Sequence, residues 1–223
     1  MWTVLFDIDG TLIRTNGVGM GAMGQAIVEH YGKHDVPKVR VHGCTDSGII
    51  QELFTKLEID LEADHSGFLM TYCDLLESSL KKTGGEILPG VVELLDTLNA
   101  HPNVVLGLLT GNAQRAAEIK LDHFGLREYF LFGGYGDDHP DRNDVAAQAV
   151  QSARNFLKDK FVESRVWVIG DTTNDIRCAR SIGAKVIAVE TGGDSHDVLC
   201  QNSPDFLLSD LLEVSSWLET LEI

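Results

Sequence analysis

Positive charge is what this chain has least of. Its 223 residues carry 18 Lys and Arg against 34 Asp and Glu, a formal net charge of -16. Nucleic acid and anionic membrane both need a basic footprint, so neither is expected as a partner. Long apolar runs are also missing, and no stretch approaches the roughly 20 residues of a membrane span. The cysteines are only four, Cys44, Cys73, Cys178 and Cys200. None form a CxxC pair, which leaves a zinc ribbon or a thioredoxin-type site unsupported. They read as free thiols of a reducing compartment. The chain opens on a β-type run, Trp2 to Ile8, not on a basic segment followed by an apolar one. No signal peptide is therefore expected, and the cytoplasm is the expected location. Repeats and low-complexity tracts are absent from the sequence. No obligatory protein partner is expected, and a monomer is the default.

What is present is an ordinary globular composition, 43% hydrophobic. The length suits a core domain carrying a smaller insert. Short apolar runs at Thr3–Ile8, Val104–Thr110, Phe130–Gly134, Val166–Gly170 and Lys185–Val189 read as buried strands. Helical patterns separate the later ones. Gly90–Ala100 follows Pro89, and Asn112–Phe124 stops at Gly125. Asp141–Leu157 has helical spacing, and Thr172–Ile182 stops at Gly183. Strands alternating with helices give an α/β, Rossmann-like doubly wound parallel sheet. Residues 15–86 break the rhythm with helical patterns at Gly21–Tyr31, Asp46–Leu57 and Asp64–Lys82 and no convincing strand. Asp46 is read as the N-cap of the second. The expected organisation is an α/β core of residues 1–14 and 87–223, with a helical cap of residues 15–86 inserted after the first strand. Glu213 to Glu222 reads as an amphipathic helix with Val214, Trp217, Leu218 and Leu221 inward.

In open α/β sheets, ligands sit beyond the carboxyl ends of the strands. Polar clusters stand at such ends. Asp7-Ile8-Asp9-Gly10-Thr11 closes the first strand. Residues i and i+2 of an extended segment share a side, so the two carboxylates can converge. Gly10 lets the chain turn, with amides for phosphate oxygens. Thr110-Gly111-Asn112 offers a hydroxyl and amides at a helix start. Arg142 begins the helix before the fourth strand, and Gly170-Asp171 is followed by Asp175.

The order DxDGT, TGN, a basic residue and GDxxxD resembles the haloacid dehalogenase-like superfamily of phosphohydrolases. The matching elements span nearly the whole core, and the insert is similar to the helical cap of its first cap class. Within the family the chain looks most like the phosphoglycolate phosphatase and β-phosphoglucomutase-like group. The resemblance implies a Mg²⁺-dependent phosphate monoester hydrolase for a small phosphorylated metabolite, working through a phospho-aspartyl intermediate. It implies Asp7 as nucleophile and Asp9 as general acid–base. Gly10, Thr11, Thr110, Gly111, Asn112 and Arg142 are the implied phosphoryl-binding residues. The implied metal residues are Asp7, Asp9 through its carbonyl, Asp171, and Asp175 in support. The family usually has a lysine where Arg142 stands, and an arginine still neutralises and grips phosphate. Physics agrees, because clustered carboxylates repel one another without a cation and Mg²⁺ prefers oxygen ligands.

The rival readings are a phosphosugar mutase, which returns the phosphate to another hydroxyl, and a phospho-receiver module in which Asp7 is only phosphorylated. A dehalogenase lacks the second carboxylate kept here at Asp9, and a phosphonatase needs a cap lysine, for which Lys33 and Lys38 sit in no recognisable motif. Gly19 to Gly24 fits GxGxxG but follows its strand too late for a dinucleotide fingerprint. A hinge into the cap, with close helix packing beyond, is the reading preferred for it. The loop His42-Gly43-Cys44-Thr45-Asp46 either reaches over the core to read the leaving group or is an ordinary loop. Cys44 lacks an activating partner. His30 and His34 read as a solvated helix end, and His139 as a surface loop.

Overall fold

The computed structural model of the protein describes residues 1–62 and 65–221. Strand β1 (Trp2–Phe6) leads into the short β2 (Ile13–Arg14). Helices α1 (Val18–Tyr31), α2 (Asp46–Leu57) and α3 (Ser66–Thr83) follow. The chain returns through β3 (Glu86–Ile87), which pairs antiparallel with β2. The remainder alternates: α4 (Val91–Ala100), β4 (Val104–Leu109), α5 (Gln114–Phe124), β5 (Gly133–Gly134), α6 (Arg142–Leu157) and β6 (Val166–Gly170). Then come α7 (Thr173–Ser181), β7 (Lys185–Val189), α8 (His196–Gln201), β8 (Phe206–Leu208) and α9 (Ser215–Leu218).

The main sheet has the order β5-β4-β1-β6-β7-β8, with every pair parallel. From β1 the chain winds one way to β4 and β5, then the other way to β6, β7 and β8. The order reverses at β1, so the ligand crevice is expected at its carboxyl end. Side chains alternate between two faces, as a pleated strand requires. Val4, Phe6, Leu106, Leu108, Trp167, Ile169, Ile187 and Val189 join one apolar cluster, covered by α4 and the C-terminal segment around Trp217. Leu5, Leu109, Val166, Val168, Val186 and Ala188 face the other, covered by α6 and α7. Fully burying a side chain of this size contributes roughly 1.5–3 kcal/mol before entropy is counted. Parallel strands covered on both faces are therefore near-continuously apolar, which is why they are readable from sequence.

Helices α1–α3 form a third cluster of their own, including Met23, Ile27, Leu53, Phe54, Phe68, Tyr72 and Leu76. Helix α5 serves two clusters at once. Its Ala117 and Leu121 join the first sheet face, and its Ala116 and Ile119 join the helical block.

Several expectations needed correction. The strand expected over 130–134 is only Gly133–Gly134, preceded by a 3-10 turn at Arg127–Tyr129. Leu131 and Phe132 still exchange backbone hydrogen bonds with Leu106 and Leu108 at this sheet edge. Strands β2, β3 and β8 and helix α8 were not expected, and each is too short to carry a period. The N-cap of α2 is Thr45, whose Oγ1 accepts from Gly48 N at 3.1 Å; Asp46 is the first helical residue. Gly19, Gly21 and Gly24 lie inside α1, not at a hinge, and open space or loose contact surrounds each. Backbone freedom is used earlier, at Gly17 with φ 84°. The C-terminal helix is a single turn flanked by 3-10 turns, with Val214, Trp217 and Leu221 buried. Asp64 and Glu222, which bounded two expected helices, lie outside the described residues.

A stability test follows. Gly21, the fourth residue of α1, is exposed with nothing within 4 Å of an added Cβ. Gly21→Ala should therefore stabilise the protein by about 0.5–1 kcal/mol. Thermal unfolding should show a Tm higher by roughly 1–4 °C. A lower Tm would mean that this turn of α1 is not held as described.

Candidate active site

The carboxyl ends of β1 and β6 are adjacent because the strands are hydrogen-bonded neighbours, Phe6 beside Ile169. That register brings Asp7 and Asp171 together across 164 residues of sequence. Asp175, in the first turn of α7, completes a buried group with them: carboxylate oxygens of Asp7, Asp171 and Asp175 lie within 4.8 Å of one another. Burial pushes the Asp7 carboxyl up to about 6, against the attraction of Arg142 and with help from the charges of Asp175 and Asp9. Asp171 is raised well above the ordinary carboxylate range, first by burial and then by Asp175 and Asp7. Hard oxygen donors in this density fit a divalent cation, which would remove both penalties.

The donor set is not uniform, however. Both oxygens of Asp175 are already engaged. Oδ1 accepts from Arg142 Nη2, and Oδ2 accepts from Thr172 N at 3.0 Å and from Thr172 Oγ1 at 2.7 Å. Thr172 and Asp175 thus make the capping box of α7. The chemistry of this donor set suits Asp7 and Asp171 as direct oxygen donors and Asp175 as an indirect support. Asp171 is itself oriented from two sides: Thr11 Oγ1 donates to Oδ1 at 3.2 Å and Gly193 N donates to Oδ2 at 2.5 Å.

Arg142 lies where the sequence expects a cation. It is 2% exposed, it donates to the Leu109 carbonyl at 3.2 Å, and its Nη1 stands 3.5 Å from Asp7 Oδ1. Burial disfavours its charge, but Asp7 and Asp175 more than offset this and hold the guanidinium firmly protonated. Its Nε has no protein acceptor among the described residues.

The phosphoryl-binding expectations fare differently. Gly10 does border the cavity, at φ 87°, and a Cβ there would come within 2.5 Å of Asp171 Oδ2. Its amide, however, donates to Ile13 O, while the Thr11 and Leu12 amides donate to Ile8 O. The turn after β1 therefore closes on itself and does not present these amides. Thr11 is wholly buried and its hydroxyl serves Asp171. Asn112 has spent both amide hydrogens, one on Asp9 Oδ2 and one on Thr110 Oγ1, each at 2.8 Å. The start of α5 is also taken. Ala113 N donates to Asp46 Oδ2 and Gln114 N to Asp137 Oδ2, each at 2.8 Å. At Gly111 the loop from the helical block lies close, since a Cβ there would strike the Cys44 carbonyl and sit 3.0 Å from Arg142 Nη1.

One cation was missed. Lys120 is only 4% exposed, and its Nζ donates to Asp9 Oδ2 at 2.5 Å and to Asn112 Oδ1 at 2.6 Å. The sequence did carry a signal. Positions 113, 116, 117, 120, 121 and 124 form the apolar stripe of α5, and a lysine on such a stripe needs a buried partner.

These groups line a cavity of about 410 Å³ between the sheet and the helical block. Asp7, Asp9, Asp171, Arg142 and Lys120 form its floor, and Met20, Met23, Ile49 and Tyr72 contribute apolar wall. His42 and Gly43 reach it from the loop before α2, whereas Thr45 is buried as the helix cap and hydrogen-bonds Pro140 O. Asn174 Nδ2 ties this loop down through Gly43 O at 2.8 Å. Asp46 also faces the cavity, and burial pushes its carboxyl up to about 6 against the pull of Lys120. Burial raises the Cys44 thiol, so it is no ready nucleophile. His30 bonds Thr71 near the end of α1, at a site distant in function from the cavity it does not line.

Comparison with known proteins agrees with this geometry. The family pattern for haloacid dehalogenase-like hydrolases matches residues 4–189. A phosphoglycolate phosphatase of Synechococcus elongatus is 30% identical over 131 residues, 57% of this chain and 58% of that protein. One from Photorhabdus laumondii is 24% identical over 216 residues, 96% of this chain and 90% of that protein. A hydrolase from Pseudomonas syringae has the same fold, with a TM-score of 0.71 at 22% identity over 99% of each chain. No helix among the described residues is long and apolar enough to cross a membrane. With the aspartates at the strand ends, the cations beside them and the match over residues 4–189, the chain belongs to the haloacid dehalogenase-like hydrolases and is an enzyme similar to the phosphoglycolate phosphatases of that family.

Proposed function

We propose that this protein is a Mg²⁺-dependent phosphate monoester hydrolase for a small phosphorylated metabolite, with Asp7 as nucleophile and Asp9 as general acid–base. The observation that carries this reading is the pairing of Asp7 and Asp171 at the ends of neighbouring strands, with Arg142 3.5 Å from Asp7, on the floor of a cavity roofed by helices. The curated relatives named phosphoglycolate phosphatase support a small phosphate ester as the substrate class. The core is residues 1–14 and 87–223, and residues 15–86 act as the cap that excludes water.

Phosphoryl transfer needs positioning and charge neutralisation above all. Arg142 faces Asp7 and lowers the repulsion between this carboxylate and an incoming phosphoryl dianion. Asp7 attacks phosphorus, an Asp7 O–P bond forms and the ester P–O bond breaks. Asp9 gives its proton to the departing alkoxide. A water then attacks the phospho-aspartate, passes its proton to Asp9, and the Asp7 O–P bond breaks to release phosphate. Splitting hydrolysis into two transfers lowers each barrier. Proton transfer by Asp9 is worth about 10²–10⁴-fold. Asp7, Asp171 and the Asp9 carbonyl, supported by Asp175, would hold a magnesium ion, which would supply charge neutralisation at the phosphoryl oxygens. His42 and Gly43, which border the cavity from the helical block, contact the leaving group.

The direct test is release of phosphate from p-nitrophenyl phosphate and a panel of metabolite phosphates, with and without Mg²⁺. We expect metal-dependent turnover that Asp7→Asn reduces by at least about 10³-fold. Phosphate should appear without an isomeric sugar phosphate. No turnover on any ester by the folded, Mg²⁺-loaded protein would overturn the reading.

The metal assignment has a test that does not use activity. Asp7 titrates at about 6 in the metal-free fold, above its ordinary 3.8. The fold therefore binds this proton more tightly than the unfolded chain does, and loses stability as pH rises from 3.8 to about 6. Mg²⁺ should raise the Tm clearly at pH 7.5 and little at pH 5, where protonation competes with it. In Asp171→Asn the Mg²⁺ shift at pH 7.5 should largely disappear. An equal shift at both pH values, or one retained in that variant, would place the ion elsewhere.

A further inference from the structure

Helix α5 has no place in the DxDGT and GDxxxD motifs, yet it sends an ammonium group to the centre of the site. Lys120 sits one turn beyond Ala116 and Ala117, at the seam where α5 meets both the sheet and the helical block. Desolvating an ammonium is costly, and an apolar residue at this position would avoid that cost. What Lys120 gains in exchange is a pair of short, charge-assisted contacts, to Asp9 Oδ2 at 2.5 Å and to Asn112 Oδ1 at 2.6 Å.

The consequence falls on Asp9. Its Oδ2 receives two donors, Lys120 Nζ and Asn112 Nδ2. Among the described residues no group donates to its Oδ1. The side chain is 40% exposed and borders the cavity. An aspartate with a free χ2 would spread its two oxygens over many directions. Here one oxygen is held by two donors, and the other has no donor among the described residues in a side chain that borders the cavity. Asn112 belongs to the same clamp, since Lys120 fixes its carbonyl end, which directs its amide hydrogens to Asp9 and Thr110.

We propose that Lys120 is a positioning residue for Asp9, holding Oδ2 so that Oδ1 is the oxygen that passes the proton to the leaving alkoxide and takes it back from water. This rests on the reading of Asp9 as the general acid–base. The protonation in question is of the leaving oxygen, so its worth depends on the leaving group. An alkoxide must be protonated as its P–O bond breaks. A p-nitrophenolate departs without that help.

The test uses single-turnover release of the alcohol or phenol by the Mg²⁺-loaded, full-length enzyme, which isolates the first transfer. Glycerol phosphate serves as the alkyl ester if the wild type turns it over, or otherwise the best alkyl ester of the panel, beside p-nitrophenyl phosphate. Lys120→Met keeps the volume of the side chain and removes the charge. We expect it to slow alkyl ester cleavage by roughly 10–10²-fold and p-nitrophenyl cleavage by less than about 5-fold, with little change in KM. In an Asp9→Asn background the same substitution should have no further effect. Lys120→Arg should recover part of the alkyl rate, and it carries the same comparison if the Met variant does not fold. Equal losses on both esters, or full loss persisting in the Asp9→Asn background, would overturn the proposal and leave Lys120 as a structural charge. If the wild type cleaves neither ester, it is the phosphatase reading that fails, so the two failures are distinguishable.

Discussion

Repulsion among carboxylates at one end of the sheet is the constraint that the rest of the structure depends on. Asp7, Asp171 and Asp175 are packed within 4.8 Å of one another, each nearly inaccessible to solvent. Such a group persists only where cations and donors surround it. Arg142 bridges Asp7 and Asp175 from α6, and the capping box of α7 absorbs what remains of Asp175. The turn glycine Gly10 lets Asp171 come within van der Waals reach of the backbone after β1. The sheet order that puts β1 between β4 and β6 exists in service of the same crowding. It delivers Asp7, Thr110 and Asp171 to one place from three neighbouring strands.

The positive side of the site is assembled in an unexpected way. A helix N-terminus beside a TGN sequence looks like a ready anion site. Here Asp46 and Asp137 accept from the N-cap and first-residue amides of α5, Ala113 and Gln114, so its dipole is already answered by carboxylates. In the turn after β1 the amides of Gly10, Thr11 and Leu12 likewise donate within the turn. In this chain of net charge -16, the buried cations that line the cavity are Arg142 and Lys120. The capping carboxylate Asp46 comes from the helical block, and the Asp46 amide also donates to Gly111 O at 2.7 Å. The roof of the cavity and the start of α5 are thus one hydrogen-bonded unit.

Much of this was legible in the sequence, for identifiable reasons. The buried strands β1, β4, β6 and β7 are continuous apolar runs, and Gly125 and Gly183 punctuate the helices between them. Asp7, Asp9, Asp171 and Arg142 stand at strand ends or helix starts, where topology alone brings them to the crevice. The edge elements were not legible, because β2, β3 and β8 have two or three residues each and show no period. Glycines 19, 21 and 24 misled, since sequence alone does not separate a glycine required by packing from one merely tolerated in a helix. The fate of individual hydrogen bonds was hidden as well. Asn112 and Thr11 are in the expected place, but their donors are committed to Asp9 and Asp171.

Lys120 shows most clearly where a motif-based reading stops. Motifs follow the loops that close the strands, and this residue sits seven positions beyond Ala113, inside a regular helix. Its helix face carries apolar residues in the sequence, and a lysine there is the discordant element. Local rules favour an apolar residue at that position, and natural sequences break such rules mainly where function demands it. A single charged residue on an apolar helical stripe therefore points to the site as directly as a strand-end aspartate does. The two signals differ only in range: the aspartate is placed by its own strand, whereas the lysine finds Asp9 across 111 residues, because α5 contributes to both the sheet cluster and the helical block.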